Sequence, residues 1–175
     1  MARCTRRGVN YNDAMLALRY AALLALAVWV GGLAVLGAVG APVAFQVLGP
    51  AGPGGRLQAA AVVGEMLRQF HMISYGCAAV ILTSLAVRAV LGPRPRRFAV
   101  RTAIAALMLA GAAWSGLVIG PQLTSAQKEI GGLPSSLPPT DERRSAFARL
   151  HRLSTSLQMV PLAGGLALLF WELKD

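Results

Sequence analysis

The sequence predicts an all-α fold: an integral membrane bundle of four helices with both termini on the cytoplasmic side. Three observations lead there. Apolar residues make up 55% of the 175 residues and mean hydropathy is +0.56, while charged residues are only 14%, where a soluble domain carries about 25%. Four apolar runs follow one another, each near or above the roughly 20 residues that cross about 30 Å of hydrocarbon as a helix. The runs are rich in Ala and Gly and lack the period-two alternation of a membrane β-strand, which would also be only about ten residues long. Helices satisfy their own backbone groups in lipid. A soluble bundle would need a polar face on every helix, and the first and third runs have none.

The elements follow in order, as one four-span domain over residues 1–175 with helices expected at 15–48, 57–91, 98–120 and 142–171. The first run, Tyr20 to Leu48, is "YAALLALAVWVGGLAVLGAVGAPVAFQVL", without a charge. The basic "MARCTRRG" before it has the character of a signal n-region, yet the apolar part is too long for a usual h-region, so a retained first helix is expected. The second run, "FHMISYGCAAVILTSLAV" from Phe70 to Val87, extends back to Leu57 because "LQAAAVVGEMLRQF" contains nothing that stops a helix. The third, Thr102 to Gly120, is expected to close at Pro121. Beyond it, "TSAQKEI" suits a short surface helix and "GGLPSSLPP" suits none. Thr140 or Asp141 can cap the fourth helix, with acidic residues in its first turn, and its apolar part runs from Phe147 to Trp171.

Charge sets the orientation and excludes one class of partner. There are 17 Lys and Arg against 7 Asp and Glu, a net charge of +10. The basic residues bracket apolar runs and are not interleaved with aromatics, so no nucleic-acid surface is expected. Arg88, Arg94, Arg96, Arg97 and Arg101 crowd the second connector with no acidic residue among them, and Arg3, Arg6 and Arg7 stand in the N-terminal tail. The first connector holds only Arg56. The positive-inside tendency then places the N-terminus and the Arg88–Arg101 connector on the cytoplasmic side of the cell membrane, against anionic headgroups. The third connector faces outward, its Arg143, Arg144 and Arg149 partly offset by Glu129, Asp141 and Glu142. Two cysteines make no disulfide framework. Cys4 is expected as an unpaired tail thiol and Cys77 as a small buried hydrophobe.

Small residues recur where helices would press together. Gly32, Leu36 and Gly40 stand four apart, with Gly31 one residue earlier and the deep Trp29 just before. Such a face lets another backbone approach closely, from within the bundle, from a second copy or from a partner membrane helix. Pro42 lacks an amide hydrogen and should bend the helix or open its ladder near the outer end.

Two histidines are the sharpest chemical signal. On four antiparallel spans, His71 and His151 both fall near the outer ends of their helices. Glu65, Arg68, His71 (or Met72) and Tyr75 lie on a stripe of successive turns, and His151, Ser154, Thr155 and Gln158 form another. Ionisable groups at such depth face protein or a water-filled cavity. A polar pocket of Glu65, Arg68, His71, Tyr75, His151, Ser154 and Gln158 under the outer surface is therefore expected. His71 and His151 could also hold haem iron, or copper together with sulfur from Met72. No HExxH, CxxCH or nucleophile elbow is present, so no substrate or reaction is identified and an enzyme is neither required nor excluded.

The combination of "WVGG" at 29–32, "APVAF" at 41–45 and "FARLHRLSTSLQ" at 147–158 resembles a family of small four-span membrane proteins, the domain of unknown function 4149, transmembrane protein 205-like. In that family the last motif reads histidine, two residues, serine, three residues, asparagine. His151 and Ser154 match it, and Gln158 stands at the asparagine position, one methylene longer. More distantly, a WxGG helix with membrane histidines is similar to copper-resistance D type domains and to a four-helix haem-binding protoporphyrinogen oxidase family. That similarity implies haem or copper as a cofactor to test. Three functions are thus expected as alternatives: binding or passing a small solute through the pocket, haem or copper redox chemistry, and a scaffold packing through glycine-rich helices.

Overall fold

The computed structural model describes residues 11–91 and 97–174. Arg3, Cys4, Arg6, Arg7, Arg94 and Arg96 lie outside the described residues. The described chain is helical throughout, apart from short turns, and holds no strand. Helix α1 (Tyr11–Val35) passes through a π-helical segment, Leu36–Gly40, into α2 (Ala41–Leu48) and a short turn to Ala51. Helix α3 (Pro53–Leu91) returns the full length. Helix α4 (Phe98–Ala113) leads through a second π-helical segment, Trp114–Ile119, into α5 (Gly120–Ile130), and α6 (Glu142–Lys174) closes the bundle. Four continuous stretches, Asn12–Ala51, Pro53–Leu91, Phe98–Ile130 and Glu142–Lys174, are long and apolar enough to cross a membrane. The molecule is a multi-pass membrane protein.

Each span packs on two neighbours: α1 on α3 and α6, and α4 on α3 and α6. That ring surrounds a core of Leu26, Trp29, Phe70, Ile81, Leu85, Met108 and Leu168. The outer face stays apolar, with Leu24, Val28, Leu107, Leu117, Leu166 and Phe170 all exposed. In water such a surface would aggregate; in lipid it is the solvent-facing side.

Glycine sets the closest helix approaches. A Cβ on Gly32 would lie 2.2 Å from the Phe70 ring, and one on Gly165 would lie 2.3 Å from Val30 Cγ2. Gly40 is looser, 3.1 Å from the Met66 methyl, and Gly31 has nothing within 4 Å. The glycine face of the first span is therefore filled from inside the bundle, by α3, at Gly32 and Gly40. Val30 is buried and β-branched, so it has no alternative position. Gly165→Ala is expected to destabilise the bundle by about 1–3 kcal/mol as an overpacked core does, readable as a lower thermal midpoint in detergent.

The third span does not close at Pro121: the helix runs on through Ile130 and ends only at Gly131, whose φ of +66° is left-handed. The sequence expectation of a stop at 120 and a separate surface helix is corrected accordingly. Pro121 has no N–H for the Leu117 carbonyl, and its ring crowds that carbonyl. The ladder absorbs the conflict by widening over Trp114–Ile119. Pro42 and the Leu36–Gly40 segment repeat the pattern. At the start of α6, the Arg143 backbone N–H donates to Asp141 Oδ1 at 2.9 Å, so Asp141 is the cap. The Arg143 guanidinium on the same carboxylate holds Asp141 below the usual carboxylate range.

Candidate functional site

Buried polar groups gather at two depths in the bundle. The first cluster joins α3, the π-helical segment of the third span, and α6. His71 is 6% exposed. Its Nε2 stands 3.1 Å from the Gln158 side-chain nitrogen. An amide nitrogen can only donate, so in this contact Gln158 donates and His71 Nε2 accepts, with the ring hydrogen on Nδ1. The second amide hydrogen of Gln158 goes to Ser115 Oγ at 3.1 Å, and Ser115 Oγ faces Ser154 Oγ at 3.5 Å. Ser115 and Ser154 are buried.

Tyr75 stacks on His71 at 6.4 Å between ring centroids, one turn along α3. Its hydroxyl is buried and has no hydrogen-bond partner among the described residues. Gly116 makes room for the pair: a Cβ there would lie 2.6 Å from the Tyr75 oxygen and 3.0 Å from the imidazole. The widened turn ahead of Pro121 buries Ser115 while Trp114 and Leu117 stay exposed. The widened turn ahead of Pro121 thus also presents the polar residue of the third span to the other helices.

Of the seven residues expected to line one pocket, the structure brings together His71, Tyr75, Ser154 and Gln158. It does not bring in Glu65, Arg68 or His151. Glu65 and Arg68 are exposed and pair with each other at 2.6 Å, and His151 is exposed and stacks on Phe147 at 6.2 Å. Depth explains the division. At 1.5 Å per residue, measured from the level of Arg88, Arg101 and Glu172, the cluster of Tyr75, His71, Ser115 and Gln158 lies about 20–25 Å along the axis. Arg68, His151 and Glu65 fall at about 30–35 Å, at or past the edge of roughly 30 Å of hydrocarbon. Water serves them there, so nothing draws them inward.

The same spacing bears on a haem or copper site. Gln158, which contacts His71, is seven residues from His151 on one helix, about 10 Å of axis. Two imidazoles on one ion stand within about 4 Å of each other, twice a metal–nitrogen bond. Met72 is exposed as well. The residues present do not fit a metal held between His71 and His151.

The second cluster, at the opposite end, was not anticipated. Glu172 is buried among three guanidiniums: Arg101 at 2.8 Å and Arg88 at 3.0 Å on Oε1, and Arg19 at 3.6 Å from Oε2. Arg19 and Arg101 also donate to the Glu172 and Trp171 carbonyls, capping the last turn of α6. The signal was present in sequence, since arginines at the ends of three apolar runs and a glutamate at the end of the fourth must come to one level. Ser115 was likewise legible only as a small residue within "AWSG".

A family model described as "Domain of unknown function (DUF4149)" matches residues 24–131. The match takes in most of the first span and all of the second and third, so His71, Tyr75 and Ser115 lie within it and His151, Ser154 and Gln158 lie beyond it. Neither the curated proteins nor the solved structures give a match.

Proposed function

The chain belongs to the DUF4149 family, and from that premise we propose that it is a cell-membrane protein that binds a small, uncharged, hydrogen-bonding solute at His71, Tyr75, Ser115, Ser154 and Gln158. The observation that carries this is the buried Tyr75 hydroxyl without a partner, set beside a chain of neutral hydrogen-bonding groups from three helices. In lipid a stranded hydroxyl costs free energy that a ligand oxygen or nitrogen relieves. The groups of the cluster are an imidazole, an amide and hydroxyls, which select hydrogen-bonding shape over charge.

Orientation follows from the distribution of basic residues. The segments 1–20, 88–101 and 172–175 lead to the Glu172 end and carry ten Lys and Arg against three acidic residues, while the opposite end has seven against four. The positive-inside tendency puts the Glu172 end in the cytoplasm. The solute site then lies just beneath the non-cytoplasmic surface. Gly32 and Gly40 meet α3 inside the bundle, which favours the solute reading over a scaffold that packs through those glycines.

The test uses a panel of neutral solutes (urea, acetamide and glycerol) and the thermal midpoint of the purified protein. At least one should raise the midpoint of the natural protein and leave Tyr75→Phe unmoved. Without solute, Tyr75→Phe should be as stable as the natural chain or more so by about 1 kcal/mol, because it removes a group that has no bond to lose. A drop in stability of that size would mean the hydroxyl is bonded, and the proposal would fail.

A further inference from the structure

The cluster around Glu172 gathers positive charge from three helices at one end of the bundle. Among the described residues three guanidiniums meet one carboxylate, and the segments leading to this end hold ten basic residues against three acidic ones. The guanidiniums differ in access. Arg101 is 3% exposed at its side chain and Arg88 14%, whereas Arg19 is 33% exposed. Arg101 therefore belongs to the interior, while Arg19, and to a lesser degree Arg88, keeps part of its side chain at the surface. Guanidinium forks match phosphate oxygens, and a partly desolvated pair holds them more strongly than a hydrated surface lysine does.

A second feature adjoins the first. Between α1 and α3 an open cleft of about 300 Å³ is lined by Leu18, Ala21, Ala79, Val80, Thr83 and Ser84. Leu18 precedes Arg19 in the chain, and Ser84 is one turn before Arg88, so the cleft begins at the level of the guanidiniums. It continues toward Ala79, about 6–14 Å deeper than Arg88 along the axis. The cleft is almost wholly apolar and opens on the lipid-facing side, where Ala79, Val80 and Thr83 are exposed. A cationic mouth at a membrane edge with an apolar channel leading inward from it fits an amphipath with an anionic head.

We propose that one anionic phospholipid binds here, its phosphate on Arg19 and Arg88 and part of an acyl chain in the cleft between α1 and α3. A free phosphate would use only the arginines and leave the cleft empty. The site is independent of the solute cluster at the other end, so either proposal can fail alone.

Native mass spectrometry of the full chain in neutral detergent, titrated with phosphatidylglycerol or phosphatidylcholine, tests it. One phosphatidylglycerol per chain should bind, about tenfold more tightly than phosphatidylcholine. Arg19→Gln and Ala79→Phe should each weaken it about tenfold, Ala79→Phe with its thermal midpoint unchanged. Ala79→Phe leaves every ion pair intact, so a loss there cannot come from disturbing Glu172. Lys174→Gln removes the same charge from the same end and should leave binding unchanged. The proposal is overturned if Lys174→Gln weakens binding as much as Arg19→Gln, which would mark diffuse charge. It is also overturned if Ala79→Phe has no effect, if millimolar inorganic phosphate displaces the lipid, or if the cleft proves to be covered by a second copy in lipid-free detergent.

Discussion

Replacing Glu172 with alanine is expected to cost about 3–5 kcal/mol, the cost of stranding buried charges whose partner has been removed. For a chain of this size that corresponds to a fall of roughly 6–20 °C in thermal midpoint. The carboxylate is buried at the meeting point of Arg19, Arg88 and Arg101, drawn from α1, α3 and α4, while it sits itself on α6. All four spans therefore lose a shared contact at once, and the guanidiniums of Arg88 and Arg101 lose the carboxylate where little water reaches. Glu65→Ala is the matched control. Glu65 is also salt-bridged, to Arg68, but both side chains are exposed and water replaces the partner. Its thermal midpoint should not change. Equal losses in the two variants would show that burial of Glu172 is not what makes its ion pairs matter.

Gln158→Leu is the second large effect, and it bears on the site. A single amide nitrogen serves His71 Nε2 and Ser115 Oγ, so leucine strands the imidazole nitrogen and leaves Ser115 Oγ only its contact with Ser154 Oγ. At about 1–3 kcal/mol for the stranded nitrogen and about 1 kcal/mol for the bond lost at the serine, the total is roughly 2–4 kcal/mol. Solute binding should be lost as well. Gln158→Asn keeps the amide but is one methylene shorter, so it is expected to reach one partner and not both, and to fall between leucine and the natural residue. Thermal midpoints of the three forms, with and without solute, check this order. Leucine as stable as glutamine would mean the amide links nothing.

The four spans were legible because membrane crossing is written in composition: a run of twenty apolar residues has few other ways to satisfy its backbone. The end of the third span was not. Proline normally closes a helix, and nothing local to Pro121 announces that the preceding turn will widen and let the helix continue to Ile130. The polar cluster around His71 was half legible. Spacing on one helix groups His71 with Tyr75 and Ser154 with Gln158, because i, i+3 and i+4 geometry is local, but it groups Glu65, Arg68 and His151 with them as well. Whether His151 or Gln158 would meet His71 depends on the axial offset between α3 and α6, which no local pattern encodes. Ser115 was hidden for a related reason: a serine in an alanine-rich run serves packing and hydrogen bonding equally well until its neighbour is known. The Glu172 cluster required bringing the ends of four runs to one level, which the charges at those ends would have allowed.

The chain has only two histidines, which makes the central claim directly measurable. Nitrogen-15 NMR of histidine-labelled protein resolves one imidazole in the bundle and one at its surface. The account predicts that His71 Nε2 is a hydrogen-bonded acceptor whose resonance moves on Gln158→Leu, while the signals of His151, stacked on Phe147 and exposed, stay in place. An His71 spectrum indifferent to Gln158, or two imidazoles that respond together, would contradict a buried polar site built across the second, third and fourth spans.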